Sequence, residues 1–372
     1  MELTLKKVTD RKLLREFIRL PWTIYRNDPF WVPPLQSEQE KLLDKTRGFF
    51  FGFGEAEYFI AYRGNEPVGR IAAHLNHQYE KYHDVHTGFF GFFESINQKE
   101  VAKALFEAAA EWLVAKGKTR VIGPMSFTVY DECGLLFEGF DSLPVILLSY
   151  NPSYYNQLVE HAGFRKEIDW YAFMVNKELH LSPKLDKIRQ RILAHKGLRI
   201  EPLDMKKFHK VVQEIGIIFR DAWMENWGHV PLTEGHLKYL ADELKVVVVP
   251  ELTYLAYLND QIIGFSLSVK DANPALQKAN GRLYPFGLFK ILMGMRKINR
   301  LRTIAMGVLK EHRHRGIDIV FYLNTIEQGV KMGYVESECS IIVETNRQMI
   351  RALEDLEARR YKTYRLYSRV LS

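Results

Sequence analysis

Long apolar runs are missing from this chain, and cysteine is rare. No stretch of its 372 residues approaches the roughly 18 uninterrupted apolar residues that a membrane-spanning helix needs. The N-terminal residues MELTLKKVTDRKLLREF are charged throughout and lack the apolar centre of a signal peptide. Two cysteines, Cys133 and Cys339, give neither a disulfide framework nor metal-ligand spacing. We therefore expect a cytoplasmic protein without a metal site.

Acidic residues are scarce in one long segment. Between Gly281 and Arg315 the sequence holds nine Lys or Arg and a single acid, Glu311. The net charge of the whole chain is +7, so this segment carries essentially all of the positive excess. Such a local cationic sector favours a polyanionic small molecule at least as much as a duplex, and we expect no DNA partner. The alternative is a solvated basic face without a ligand.

The residues that are present predict two domains with well-filled cores. Hydrophobic residues make up 47% of the chain, and its length exceeds the size at which a single core stops growing. The chain also repeats itself, because the hairpin pattern of Tyr254–Gly264 (YLAYLNDQIIG) matches that of Phe59–Gly69 (FIAYRGNEPVG). We expect one domain at 1–180, a linker helix at 181–195 and a second domain at 196–372.

Each half predicts a mixed sheet with helices packed on it. The first half has a hairpin pattern at Tyr58–Asn76, a strongly helical stretch at Val101–Ala115 and a strand-like stretch at Leu143–Ser149. The second half repeats the order of strand, helices, hairpin, strand, helix, strand, helix and strand. The fold class is therefore α+β with tandem domains.

The most informative stretch is Met306–Val320, MGVLKEHRHRGIDIV. An apolar strand-like segment runs through a basic loop with one glycine into an amphipathic helix, whose apolar residues recur at three- and four-residue spacing. The first N–H groups of a helix have no partners within it, and the helix dipole favours negative charge there. The stretch therefore predicts a phosphate site.

At this point the sequence resembles the GCN5-related N-acetyltransferase superfamily. The resemblance rests on the order of elements, on VLKEHRHRGID at Val308–Asp318 and on the late helix that Asn346 opens. The whole chain is similar to bacterial tandem-domain acyltransferase-like proteins through the segments DPFWVPPL, GPMSFTVYDECGLLFEGFD, ENWGHVP, NGRLYPFGLFKIL and YKTYRLY. The resemblance implies two tandem acyl-CoA N-acyltransferase-like domains.

The resemblance also implies a coenzyme A site in the second half. In the superfamily a loop of the form Gln/Arg-x-x-Gly-x-Gly/Ala binds the diphosphate through backbone N–H groups, and Arg313 and Gly316 fit its first two positions. Asp318 occupies the third position and brings a negative charge. The full set of expected acyl-CoA-binding residues is Gly307, Val308, Arg313, His314, Arg315, Gly316, Ile317 and Asn346. The equivalent loop of the first half, SINQKE, lacks these features and predicts a degenerate copy.

Chemistry is expected from carboxylates and a tyrosine. Family members often use a Glu on a strand next to the central one as base, which here suggests Glu338 or Glu344. Glu336, Glu338 and Glu344 would share one face of an unbroken strand. Tyr364, with Tyr361 beside it, is the candidate acid for the leaving thiolate. Solvated or ion-paired carboxylates and packing aromatics are the structural alternatives for these residues.

The acceptor is expected to bind at two loops. In the superfamily the loop between the first two helices usually lines the acceptor site, which here places Asn226, Trp227 and His229 in it. Asp131 and Glu132, in the extra segment of the first half, form the second candidate loop. A Trp and a His buried under a Pro for structural reasons would give the same pattern in the first of these loops.

A segment found only in the second half, 282–295 (RLYPFGLFKILMGM), combines apolar bulk with flanking charge. It predicts an acyl tunnel, a peripheral membrane contact, an oligomer contact or a core helix that covers the sheet. The leading hypothesis is an acyl-CoA-dependent N-acyltransferase that acts on a primary amine, with a lipid-like amine favoured. The alternatives are a transferase of the peptidoglycan-building type that uses aminoacyl-tRNA and a non-catalytic CoA-binding protein.

Overall fold

The computed structural model describes residues 2–176 and 183–371. The described residues divide into two compact units. Unit 1 contains 2–170, 273–296 and 362–371, and unit 2 contains 171–176, 183–272 and 297–361. Each unit therefore takes segments from both halves of the sequence, and the division falls within two strands.

The elements follow one another along the chain as helices and strands of moderate length. The strands are β1 (Leu3–Lys7), β2 (Gly54–Arg63), β3 (Glu66–Asn76), β4 (Thr87–Ser95), β5 (Arg120–Gly123), β6 (Leu135–Glu138), β7 (Arg165–Asn176), β8 (Leu198–Pro202), β9 (Tyr254–Leu258), β10 (Gln261–Lys270), β11 (Arg300–Val308), β12 (Glu336–Val343) and β13 (Arg359–Val370). The α-helices are α1 (Arg11–Arg19), α2 (Pro21–Ile24), α3 (Gln36–Leu43), α4 (His77–Tyr82), α5 (Lys99–Ala115), α6 (Tyr154–His161), α7 (Pro183–Leu193), α8 (Phe208–Trp223), α9 (Glu234–Leu244), α10 (Asn273–Ala279), α11 (Gly287–Met295), α12 (Ile317–Lys331) and α13 (Arg347–Asp355).

Unit 1 is built on a sheet in the order β1, β2, β3, β4, β5 and the last residues of β13. β4 and β5 run parallel and the remaining pairs of this series run antiparallel. The alanine-rich helix α5 covers one face, where Val101, Leu105 and Leu113 are fully buried against the strands. The other face carries a cluster of aromatic side chains around Phe50 and Phe127.

Unit 2 repeats this plan with strands in the order β7, β12, β11, β10, β9 and β8. β11 and β12 run parallel, and β8 to β11 form an antiparallel series. α8 packs on one face through Val211 and Ile218, and α12 packs on the other through Ile317 and Phe321.

The two units share the series of hairpin, central strand, helix and parallel strand, which confirms the predicted α+β fold with tandem domains. Both predicted hairpins are present, with two-residue turns at 64–65 and 259–260. α7 occupies most of the expected linker at 181–195, whose first two residues lie outside the described part. The division of the chain into domains at 1–180 and 196–372 stays a prediction.

Two local predictions were wrong. Leu143–Ser149 is not a strand, because Pro144 interrupts it and Leu147 has a left-handed φ of 63°. β12 ends at Val343, so Glu344 lies in the following turn and does not continue the strand face of Glu338. Of the four interpretations of the segment 282–295, the structure excludes the core helix, since only Gly287 of α11 is buried.

Candidate active site

β11 is the central strand of unit 2, and it is irregular where the site is expected. Along the ladder with β10, Leu267 lies opposite Ala305 but Ser268 lies opposite Thr303, so Ile304 is an extra, bulged residue. The parallel partner β12 follows β11 only from Arg300 to Thr303. Within the described part of unit 2, the edge of β11 from 304 to 308 that faces β12 therefore has no strand partner.

Unit 1 carries the same irregularity but closes the opening with its own backbone. The ladder of β3 and β4 also shifts register, at Phe92 with φ 50°, and β5 follows β4 only from Thr87 to Phe89. The Met125 N–H donates to Phe90 O at 2.8 Å, and a Cβ on Gly91 would lie 1.8 Å from Met125 O. In unit 1 a loop thus fills the place that is open in unit 2.

The loop between β11 and α12 has the geometry of an anion site. Gly316 precedes the helix with φ 75°, His314 has φ 64°, and a Cβ on Gly316 would lie 2.6 Å from Ile192 Cδ1. Gly316 accepts the first helical bond from Val320 N, and it provides no side-chain cap. The N–H groups of the first turn therefore point out of the helix without intrahelical partners. Arg315 is exposed beside them.

The Arg313 side chain makes hydrogen bonds to backbone carbonyls within the protein. Its guanidinium donates to the carbonyl oxygens of Asp221 at 3.3 Å and Ala222 at 3.5 Å, and its Nε donates to Val308 O at 3.4 Å. The Lys310 N–H donates to the Asp221 carboxylate at 2.7 Å. Arg313 thereby ties the loop to the C-terminus of α8 and shapes the cradle; a direct bond to a phosphate stays a prediction.

Asp318 lies in the first turn of α12, close to Tyr322 one turn later. Burial raises the pKa of Tyr322, and the charges of Cys339 and Asp318 add to this effect. Asp318 therefore places negative charge at the helix terminus where the cradle would receive an anion. This is the part of the loop that fits a diphosphate least well.

An apolar pocket lies between β11 and α12. Its lining includes Met306, Tyr322, Ile326, Tyr334 and Leu356, with few polar atoms among them. On the other face of β11, a Cβ on Gly307 would lie 2.8 Å from the Trp223 ring, so α8 covers that face closely. Gly307 and Val308 pair with β10 and lie on the stretch of β11 whose other edge is open.

Glu338 lies in a buried polar network. It is fully buried, directly opposite Arg302 in the ladder with β11, and its carboxylate accepts hydrogen bonds from Ser340 Oγ and Tyr361 Oη. Of the two candidate tyrosines, Tyr361 rather than Tyr364 contacts Glu338. Tyr364 belongs to unit 1, where its strand pairs with β6.

Asn346 and the loop between α8 and α9 have structural contacts. Asn346 Oδ1 accepts from the Met349 N–H at 3.1 Å and caps α13. Asn226 and Trp227 are half-buried, and His229 is buried with its ring 5.9 Å from that of Phe219. The loop joins the first two helices of the second half, as predicted, and its role in binding an acceptor stays a prediction.

Unit 1 contains a charged cluster that the sequence only partly predicts. Glu94, at the end of β4, accepts from Tyr155 Oη at 2.7 Å and lies 3.5 Å from the buried Arg70 guanidinium. Burial raises the pKa of Glu94, and the charge of Glu94 in turn raises the pKa of the exposed Glu132. The cluster thus brings together one cation and two carboxylates.

Asp131 is held by its own loop. Its carboxylate accepts from the Thr128 N–H at 3.1 Å and Oγ1 at 2.7 Å, which fixes the loop, and burial raises its pKa to about 7. Glu94 was missed from the sequence because it ends an otherwise apolar strand. Arg70 was missed because it lies in the middle of a hairpin strand, where a charge is ordinarily solvated.

Comparisons with known proteins address the whole chain. A model of the acetyltransferase (GNAT) family matches residues 15–128. A bacterial ceramide synthase of Caulobacter vibrioides is 31% identical over 96% of this chain and 95% of its own length. The protein YghO of Escherichia coli is 33% identical over 96% of this chain and 92% of its own. The chain belongs to the GNAT family. It is accordingly an enzyme of the N-acyltransferase type, from a family that uses acyl-CoA as co-substrate.

Solved structures agree on the fold. A tandem GNAT protein from the clavulanic acid biosynthesis pathway has a TM-score of 0.58 and 12% identity, and the match covers 100% of this chain and 99% of that one. The family model matches a segment in the first half, whereas the open β11 edge and the uncapped α12 lie in the second. Among the described residues, no group of three or more His, Cys, Asp or Glu side chains is arranged to hold a metal ion.

Proposed function

We propose that this GNAT enzyme moves an acyl group from acyl-CoA to the primary amine of a lipid-like acceptor. The observation that carries the proposal is the open edge of β11 after its bulge, which leads directly to the uncapped N-terminus of α12. The ceramide synthase relative supports the same chemistry, because a ceramide is the amide of a fatty acid and a long-chain amino alcohol.

The reaction needs little covalent help from the protein. The diphosphate of acyl-CoA would lie against the first N–H groups of α12, and backbone N–H groups beside Gly307 and Val308 would hold the thioester carbonyl. The amine nitrogen then attacks the carbonyl carbon, the C–N bond forms and the C–S bond breaks. A base takes the proton that the ammonium group loses, and the departing thiolate is protonated.

Two carboxylates of unit 2 are candidates for the base. Glu338 is fully buried and its carboxylate accepts hydrogen bonds from Ser340 Oγ and Tyr361 Oη, which supports a role in holding β12 in place. Glu344 lies half-buried in the turn after β12, where a carboxylate can exchange a proton with solvent. We favour Glu344 for this role.

The alternatives make different demands on the same residues. A transferase that uses aminoacyl-tRNA would employ the basic sector between Gly281 and Arg315 to bind RNA, with strong salt dependence. A non-catalytic protein would bind coenzyme A without turnover. The ceramide synthase relative favours the lipid substrate over both.

Calorimetry and a thiol-release assay test the proposal together. We expect coenzyme A to bind with micromolar affinity and Arg315→Glu to weaken binding roughly tenfold, because a cation at the helix terminus becomes an anion. The matched control is Lys331→Glu, at the other end of α12, which should bind normally. Long-chain acyl-CoA with a long-chain amino alcohol should release thiol.

Three results would count against the proposal. If the wild type does not bind coenzyme A, the acyl-CoA donor is wrong, and salt-sensitive RNA binding would favour the aminoacyl-tRNA donor. If acetyl-CoA and palmitoyl-CoA are used equally well, the enzyme does not select a long acyl chain. Binding without any turnover across long-chain and small amines would favour the non-catalytic protein.

A further inference from the structure

The segment around α11 presents an unusual surface. Its large apolar side chains face outward, and the relative exposure is 83% for Tyr284, 69% for Phe286 and 65% for Phe289. Leu288, Leu292 and Met293 are also exposed. We call residues 282–296 the apolar platform. A surface helix that covers a core would bury such residues. The exposed apolar side chains of the platform therefore indicate an interaction surface.

The inward side of the platform is made of glycine. A Cβ on Gly294 would lie 2.6 Å from Ala275 Cβ of α10, and one on Gly287 would lie 3.5 Å from Ala279 Cβ of the same helix. Small residues therefore allow α11 to approach α10 closely while its bulky residues remain outside. This is the reverse of an ordinary amphipathic helix, in which the large apolar residues point into the protein.

α10, on which α11 rests, is fixed to the body of unit 1. Asn273 Nδ2 donates to Pro144 O at 2.7 Å, and Gln277 Nε2 donates to Pro29 O at 2.8 Å. Trp22 Nε1 donates to Asn280 Oδ1 at 3.0 Å just after the helix. These hydrogen bonds fix the position of α10, and α10 supports the platform. The apolar face is therefore part of the folded unit 1.

The charge around the platform indicates what covers it. The sequence contains no Asp or Glu between Asp271 and Glu311, whereas Lys278, Arg282, Lys290 and Arg296 are exposed on or beside the platform. Basic residues around exposed aromatic and aliphatic side chains complement an anionic lipid surface. At nine residues α11 is far too short to cross a bilayer, and no helix in the described part of the chain is long and apolar enough to do so.

We infer that the apolar platform docks on anionic membrane surfaces, with Phe286, Phe289 and Leu292 inserted among the acyl chains and the basic residues at the lipid headgroups. The enzyme then works at the bilayer surface. The inference stands on the exposure, packing and charge of this segment, and it does not depend on the identity of the acyl acceptor.

Vesicle co-sedimentation of the full chain tests the inference. We expect binding to phosphatidylglycerol vesicles, weaker binding to phosphatidylcholine vesicles, and a decrease as salt is added. The triple variant Phe286→Ser, Phe289→Ser, Leu292→Ser should lose at least about tenfold in affinity for both, because the inserted apolar groups are gone. The pair Lys290→Glu, Arg296→Glu should lose roughly tenfold on phosphatidylglycerol alone.

The controls separate docking from folding and from self-association. Val246 and Val85 are exposed apolar residues elsewhere, and Val246→Ser with Val85→Ser should leave vesicle binding unchanged. All variants should bind coenzyme A like the wild type, so a failure of docking is distinct from a failure of the proposed function. Absent vesicle binding, or binding that the triple variant retains, overturns the inference. So does a wild-type dimer that the triple variant converts to a monomer without any effect on lipid.

Discussion

At the residue scale, the site depends on a few backbone positions more than on reactive side chains. Gly316 has a left-handed φ, and a Cβ at this position would lie too close to Ile192. For both reasons the loop before α12 requires glycine at position 316. Asp318 is the opposing feature. An acid in the first turn stabilises the helix through its dipole but competes with any anion that binds at the same N–H groups.

Asp318→Asn should therefore change binding and stability in opposite directions. Removing the charge should strengthen coenzyme A binding about three- to tenfold, as less repulsion acts on the diphosphate, and should lower the unfolding free energy by about 0.5 kcal/mol. Calorimetry and urea denaturation measure the two effects. Asp355→Asn, an exposed acid at the end of α13, is the control and should leave binding unchanged. Weaker binding in Asp318→Asn would mean that the carboxylate contacts the ligand favourably.

The base is also decided at this scale. Glu344→Gln should lower kcat by roughly 100-fold, since an amide cannot accept the proton that the amine loses. Coenzyme A affinity should not change. Steady-state rates of Glu344→Gln beside Glu338→Gln test this. If Glu338→Gln loses the rate and Glu344→Gln keeps it, Glu338 is the base.

At the scale of elements, glycine decides how helices approach one another. α11 lies close to α10 because Gly294 has no Cβ, whereas Gly235 in the first turn of α9 has open space around its Cα. The same residue type thus has opposite consequences in two helices. In α11 it permits packing, and in α9 it only lowers helix propensity.

Gly294→Val and Gly235→Ala form a matched pair. We expect Gly294→Val to lower the unfolding free energy by roughly 1–3 kcal/mol, because its side chain would overlap Ala275. Gly235→Ala should raise the unfolding free energy by about 0.5–1 kcal/mol through propensity alone. Chemical denaturation measures both. If Gly294→Val is neutral, α11 does not rest on α10 in solution.

At the scale of the whole molecule, the aromatic core of unit 1 contains a titratable residue. His74 is fully buried, with Phe50, Phe89 and Phe127 each about 5.5 Å away between ring centroids, and burial lowers its pKa to about 3. Below about pH 6.5 the His74 imidazole binds a proton in the unfolded chain but stays neutral in the folded chain. His74 therefore makes the folded protein less stable as pH falls from about 6.5 towards 3.

His74→Leu should reduce this acid sensitivity. Between pH 7 and pH 5 the wild type should lose about 2 kcal/mol of unfolding free energy more than the variant does, whatever the variant's stability at pH 7. Urea denaturation at the two pH values measures the difference. His161→Leu, at an exposed helix end, should lose as much as the wild type. Equal losses in His74→Leu and wild type would mean that His74 stays solvated.

Much of the fold and the geometry of the loop before α12 were determined by the sequence itself. Period-two alternation around two-residue turns specified both hairpins, and the strand, glycine loop and helix pattern at Met306–Val320 specified the cradle. Such patterns are local, since each depends on residues close together in the chain. The wrong strand at Leu143–Ser149 was local as well, because Pro144 outweighed its apolar composition.

Tertiary structure alone decided which side chains meet. The contact of Tyr361 with Glu338, the bonds of Arg313 to α8 and the cluster of Glu94 with Arg70 and Tyr155 join residues far apart in sequence. Exposure was also decided there, since the apolar composition of 282–295 suits a core helix and a membrane contact equally. The apolar side chains of α11 point outward because its glycines pack against α10. The spacing of apolar residues in the sequence does not determine which face of the helix makes that contact.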